Sequence, residues 1–242
     1  AAHDDLFRED YAYFSSTSKA WLDHAARYAD MVIERFDLGT NSHVIEVASN
    51  DGYLLKNFVA KDIPCLGIEP TESTAVVAEA LGISVVKEFF GLELAAPLEK
   101  ADLIAGNNVY AHVPDINDFT AGLKAALKPE GVITLEFPHL MRLVEFCQFD
   151  TIYHEHFSYL SLYAVERCFE QNGLKVFDVE ELPTHGGSLR VWAQKTSGTR
   201  AETAGLHAIR AKENAAGIAT LACYDGFEKK VLKIRDDLIA FV

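Results

Sequence analysis

Residues 153–156 read Tyr-His-Glu-His, inside the stretch DTIYHEHFSYLS at 150–161. Four side chains able to move or orient a proton stand in a row. Histidine is the natural general base near neutral pH, so His156 is a candidate base, with Tyr153 as the alternative. Glu155 could orient or polarise a neighbour, and a tyrosine hydroxyl can donate to an oxygen that gains charge. Metal binding is a rival reading. In an extended segment His154 and His156 would share one face, with Tyr153 and Glu155 on the other. Two histidines make an incomplete site, and no second cluster has ligand spacing, so no metal is expected. A third reading is structural: Tyr153 and Tyr159 pack, and the histidines satisfy backbone groups. For His154 that reading is preferred.

A second set of residues could hold a nucleotide-like cofactor. VIEVASNDGYLL places a small-residue turn between a short apolar strand and a helical segment. Open α/β sheets bind ligands there, at strand carboxyl ends beside a helix N-terminus. Ala48, Ser49 and Gly52 allow close backbone approach, and Asn50 tolerates unusual dihedrals. With one glycine in the turn, the GxGxxG dinucleotide fingerprint is absent, which lowers the case for NAD. Glu69 ends the next strand, 23 residues after Glu46. A carboxylate there can accept both hydroxyls of a ribose; as solvated strand-end charges, Glu46 and Glu69 would do nothing. Asn107 and Asn108 end a later strand and would face the same crevice, and His112 follows them on the AHVPD loop. Phe89 could wall a base or pack in the core.

The elements that must position these groups alternate along the chain. HVIEVAS, CLGIEP, ISVVKEF, ADLIAGNN and GVITLEFP (131–138) read as buried strands. DGYLLKNFVAK carries helical spacing at Leu54, Leu55, Phe58 and Val59. TAVVAEALG reads as a short helix ended by Gly82, and INDFTAGLKAALKPEG as a helix punctuated by Pro129 and Gly131. Repeated β-α units imply a parallel sheet with helices on both faces. GLKVFDVEEL and GSLRVWAQK, joined by PTHGG, read instead as an antiparallel pair at the sheet edge. TSKAWLDHAARYADMVIERFDL (17–38) reads as a long amphipathic helix capped by Thr17 or Ser18 and lying over the mouth of the sheet. His139 could cap or touch a ligand, and Arg190 reads as a surface strand residue more readily than as a diphosphate contact. Cys147 and Cys168 read as core.

The bulk properties bound the function. The chain has 242 residues, 49% of them hydrophobic, which suits one large domain with a small appendage. The formal net charge of -14 opposes binding to nucleic acid or anionic membranes. The four cysteines are scattered, without CxxC, as in a reduced cytoplasm.

The whole series resembles the class I S-adenosylmethionine-dependent methyltransferases, a Rossmann-like fold with an antiparallel last strand. Their first turn usually reads E-x-G-x-G-x-G; here Glu46, Ala48, Asn50 and Gly52 stand at those places. EVASNDGYLL, GIEP, NNVYAHVPDINDF, EFPHLMRL and FDTIYHEHFSYLS, in that order, are similar to the sugar carbon-methyltransferases of deoxysugar pathways, as is the N-terminal YAYFSSTSKAWLDHA. The resemblance implies S-adenosylmethionine as cofactor, held by Glu46, Ala48, Ser49, Asn50, Gly52, Glu69, Pro70, Phe89 and Asn107. It implies a nucleotide-linked 4-keto-deoxysugar as substrate, methylated at a carbon beside the ketone. Residues Tyr153, Glu155, His156, His112 and Asn108 would line the sugar pocket, with His112 polarising the ketone or enolate oxygen. Tyr11 or Tyr13 would supply a further tyrosine.

The expected division is an N-terminal helical lid at 1–39, the cofactor-binding core at 40–195, and a helical segment at 196–242 that begins a further domain. Family members usually carry a cysteine-rich zinc domain before the core and a second α/β domain after it. The sequence is therefore expected to be a truncated core or a reduced relative. Two alternatives stay open beside carbon methylation: oxygen methylation, and a cofactor-binding core without turnover of its own.

Overall fold

The computed structural model describes residues 13–242. Seven strands form one sheet in the order β3-β2-β1-β4-β5-β7-β6. They are β1 (Val44–Val47), β2 (Cys65–Ile68), β3 (Ser84–Val86), β4 (Ala101–Asn107), β5 (Leu127–Pro138), β6 (Leu174–Leu182) and β7 (Ser188–Lys195). The first five run parallel; β7 is antiparallel to both β5 and β6. The strands are short apolar runs because both faces of the sheet are covered. Side chains alternate accordingly: Leu103 and Ala105 of β4 enter the core on one face, Ile104 the core on the other.

The helices are α1 (Lys19–Phe36), α2 (Lys56–Val59), α3 (Glu72–Ala80), α4 (Leu92–Ala95), α5 (Ile116–Ala126), α6 (Leu140–Phe146), α7 (Leu162–Gln171), α8 (Ala204–Ala216) and α9 (Phe227–Phe241). Side-chain caps start several of them. Ser18 accepts from Trp21 N–H, Asp115 from Asn117 and Asp118 N–H, Ser161 from Ala164 N–H, and Thr203 from Leu206 N–H. Gly82 follows α3 in the left-handed region, φ 81°.

Three expectations need correction. The amphipathic N-terminal helix does not lie over the mouth of the sheet. α1 runs along one face, its Ala25, Tyr28, Ala29 and Val32 packed beside Trp192 and Phe177, and only its first turn reaches the crevice. Polar contacts fix that course: the Tyr28 and Thr134 hydroxyls are 2.5 Å apart, and His24 Nε2 lies 3.0 Å from Glu136 Oε1. Second, the segment after β1 yields only the single turn α2, because residues 48–55 are consumed by a tight turn; Leu54, Leu55 and Phe58 are nevertheless buried. Third, Arg190 is buried and not on the surface. It is 5% exposed and forked onto Glu136, with Glu180 accepting from its other arm at 2.9 Å.

The C-terminal helices differ from each other. α8 packs Leu206 and Ile209 into the core, whereas α9 buries no residue. Glu213 of α8, 3% exposed, accepts from His139 Nε2 at 2.7 Å and from the Leu162 and Tyr163 N–H groups at the start of α7. His139 is thus a buried strut between core and α8. Among the described residues, no helix is long and apolar enough to cross a membrane.

Candidate active site

The strand order reverses between β1 and β4, and a crevice of about 980 Å³ opens there at the carboxyl ends of the strands. One half of it is made by the turn after β1. Ala48, Asn50 and Gly52 all take left-handed backbone, φ 57°, 49° and 78°. A Cβ is strained in that region, so the conformation explains why glycine suits these places. Ala48 and Asn50 line the open crevice, where a side chain has room. Gly52 does not: a Cβ there would stand 2.5 Å from Ile83 Cδ1 and 3.2 Å from Ala78 Cβ. The one glycine retained is the one with no space around it.

Glu69 stands on the crevice wall, 5% exposed. Its two oxygens accept from Asn50 N–H and Thr71 N–H, each at 2.9 Å. Burial raises its carboxyl above the usual range, and those two donors oppose the rise. Pro70, Phe89 and Asn107 line the same half. Asn107 donates to the Tyr53 hydroxyl at 3.2 Å, while its Oδ1 is buried without a partner. Glu46, Ser49 and Gly52, expected at the cofactor, do not line the crevice; they form the layer behind the turn. Burial pushes the Glu46 carboxyl well up, with the Tyr53 hydroxyl opposing.

The other half is built from loops. Asn108, again left-handed at φ 55°, donates its N–H to Glu136 C=O at 2.8 Å and lines the crevice. The loop after β4 and the loop at 153–158 are stitched together: Ala111 C=O accepts from Phe157 and Ser158 N–H, and His112 Nδ1 lies 2.9 Å from Glu155 C=O. This brings the His112 and His156 rings to 4.8 Å, with Tyr153 at 4.3 Å from His156. His156 Nδ1 lies 2.9 Å from Thr151 C=O. A carbonyl can only accept, so each imidazole carries an N–H on Nδ1.

Burial, with His156 adding to it, pushes the His112 pKa down to about 4, which keeps that ring neutral at neutral pH. Tyr153 stands beside His156 on the same loop. Burial and the Glu155 carboxylate raise its phenol, which keeps the hydroxyl protonated.

Tyr153, Glu155, His156, His112, Asn108 and Tyr13 thus meet at one crevice, while His154 is exposed and does not line it. Tyr11 lies outside the described residues. Among the described residues no three His, Cys, Asp or Glu side chains are grouped to hold a metal ion.

Sequence reasoning missed several residues here. Trp21 lines the crevice and stacks on His24 and Tyr53. His185, left-handed at φ 51°, brings the β6–β7 turn to the crevice against the edge of Trp21. Glu136 is paired with His24 and Arg190; burial alone would raise its carboxyl, but those partners bring it below the usual range. A glutamate within the apolar VITLEFP was the available signal for a buried charge.

Residues 20–179 match the methyltransferase domain family, and residues 183–242 match the C-methyltransferase C-terminal domain family. C-methyltransferase NovU of Streptomyces niveus is 33% identical over 235 residues, covering 96% of this chain and 56% of NovU. The chain therefore spans little more than half the length of that curated relative. Among solved structures, magnesium protoporphyrin IX methyltransferase of Synechocystis PCC 6803 with bound SAH superimposes with a TM-score of 0.58 at 12% identity, covering 72% of this chain and 83% of that one. An S-adenosylmethionine-dependent methyltransferase of Clostridium acetobutylicum gives a TM-score of 0.57 at 12% identity, covering 81% and 96%.

Proposed function

The chain belongs to the S-adenosylmethionine-dependent methyltransferases, and on that premise we propose that it methylates a carbon beside the ketone of a nucleotide-linked 4-keto-deoxysugar. The observation that carries this reading is the pair of rings at the loop-built half. His156 is fixed by Thr151 C=O so that Nε2 is its proton acceptor, and the Tyr153 phenol sits 4.3 Å away, ring to ring. A carbon beside a ketone is a poor nucleophile until it loses a proton, and the oxygen that then gains charge needs a donor. One base and one donor side by side are the minimum for that step.

The residues of the first half fit S-adenosylmethionine. Glu69 supplies a carboxylate at the end of β2 for the ribose hydroxyls, and the buried, unpartnered Asn107 Oδ1 supplies an acceptor for a ligand N–H. Ala48 and Asn50 bring backbone close, and Phe89 offers a face to the adenine. When held there, S-adenosylmethionine would supply an electrophilic methyl group with a neutral thioether as the leaving group. His156 Nε2 takes the proton as the carbon–hydrogen bond breaks, Tyr153 Oη donates to the oxygen, and the electron pair of the enolate forms the new carbon–carbon bond. The imidazolium then returns its proton to solvent. The match of residues 183–242 to a C-methyltransferase domain and the likeness to NovU support carbon as the acceptor atom.

Proton exchange tests the reading without turnover. The protein, S-adenosylhomocysteine and a panel of nucleotide 4-keto-6-deoxysugars are mixed in deuterated water and followed by NMR. Loss of one signal, at carbon 3 or carbon 5, beyond a no-enzyme control is expected and names the methylated carbon. No exchange with any sugar, despite calorimetric binding of the cofactor product, would move the reading to oxygen methylation or to a core without turnover.

A further inference from the structure

The turn that shapes the cofactor half also grips the start of the described chain. Asn50 Oδ1 accepts from Ser15 N–H at 2.8 Å, and Asn50 Nδ2 donates to Tyr13 C=O at 3.0 Å. A side-chain amide paired this way imitates one rung of a β-ladder, since donor and acceptor both meet the backbone of the same segment. Asp51 adds a third tie, accepting from Ser16 N–H at 3.0 Å through Oδ2. The backbone N–H of the same Asn50 donates to Glu69. Both Tyr13 and Ser15 line the crevice alongside Ala48 and Glu69. Asn50 thus joins three things through one residue: the left-handed turn, the carboxylate of the cofactor half, and a backbone strap that carries Tyr13.

We propose that Asn50 is a positioning residue whose amide fastens residues 13–16 across the cofactor half of the crevice, so that the strap must be released for S-adenosylmethionine to enter or its product to leave. The residue type supports this. A left-handed position could be filled by glycine alone; asparagine tolerates the same backbone and adds an amide, and here both ends of that amide are spent on the strap. Tyr13 is held at the crevice by the same contacts, so closure over the cofactor and placement of Tyr13 occur together.

The proposal rests on the identity of the cofactor and not on that of the methyl acceptor, so exchange of S-adenosylhomocysteine reads it alone. Radiolabelled S-adenosylhomocysteine is bound to the protein and chased with unlabelled material, and association is followed by stopped flow. The Asn50→Gly variant keeps the backbone conformation and removes the amide. It is expected to release the ligand about tenfold faster and to bind it faster in similar proportion, leaving Kd within about threefold. Asn50→Asp, which keeps the acceptor for Ser15 N–H but loses the donor to Tyr13, should fall between. Faster release with unchanged association would mean that Asn50 acts only through the bound ligand, and unchanged rates would mean that the strap does not gate; either overturns the proposal. Hydrogen exchange in the unaltered protein gives an independent reading should Asn50→Gly fold poorly. Amides 15 and 16 should gain protection on saturation with S-adenosylhomocysteine, and equal protection with and without it would also overturn the proposal.

Discussion

The two halves of the crevice are made of different materials. In the cofactor half the shape comes from main chain: a left-handed turn at the end of β1, a carboxylate pinned by two backbone N–H groups, and a strand-end asparagine. In the acceptor half the shape comes from side chains on two loops, held together because carbonyls at 111, 151 and 155 each receive a donor from the facing segment or ring. Backbone at the end of a parallel strand is fixed by the sheet and suits a ligand common to a whole fold. Rings on loops can be exchanged without disturbing the sheet. Damage to one half should therefore leave the other intact.

The largest expected effect breaks that independence if it is wrong. His156→Gln removes the proposed base yet keeps a group that can donate to Thr151 C=O. Turnover should fall by about 10²–10⁴-fold, with S-adenosylhomocysteine affinity unchanged by calorimetry. A variant retaining more than a tenth of the activity would remove His156 from the mechanism. A parallel loss of cofactor binding would mean that the halves are not separate.

A smaller effect concerns pH. His112 has a folded pKa of about 4, depressed from an ordinary value near 6.5 mainly by burial. Below about pH 6.5 the unfolded chain takes up a proton that the folded chain refuses until about pH 4. The stability present at neutral pH is therefore lost as pH falls through that window. Denaturant unfolding at pH 7 and pH 5 should show a gap that narrows by about 1 kcal/mol in His112→Gln. An equal gap in both proteins would mean that the ring is not held neutral by the loop. Variants at Ala48 or Gly52 should leave the gap as it is.

The two halves also differed in how much could be read from the chain. Strands β1 to β5 were legible because a strand covered on both faces is a short apolar run, and the crevice followed from their order. Glu69 was legible by its place at the end of β2. The meeting of His112 with His156 was not, since it depends on the carbonyls of Ala111 and Glu155, and no side-chain pattern encodes a carbonyl. The course of α1 was misjudged for a related reason. Its period shows that Ala25, Tyr28, Ala29 and Val32 share a buried face, but not which surface they cover. Arg190 was misplaced because a strand pattern gives its face and not its partner, and Glu136 lies on another strand, 54 residues away.

The stability of the turn after β1 tests the main-chain half by itself. Ala48 and Gly52 share the left-handed backbone, and they differ in what surrounds a Cβ. At Ala48 the crevice leaves room, so the methyl group costs strain of about 1 kcal/mol without a clash. At Gly52 a methyl would meet Ile83 Cδ1 at 2.5 Å in addition to that strain. Ala48→Gly should relieve the strain while adding freedom to the unfolded chain, for a net change between zero and about 1 kcal/mol in favour of folding. Gly52→Ala should destabilise by about 2 kcal/mol or more, because overpacking adds to strain. Thermal and denaturant unfolding of both variants measure the difference. If the two substitutions cost the same, space around the turn would not explain why alanine and asparagine replaced two glycines and the third remained. If Ala48→Gly instead weakened S-adenosylhomocysteine binding without changing stability, the methyl group would be a contact of the cofactor rather than a tolerated strain, and the cofactor half would depend on side chains after all.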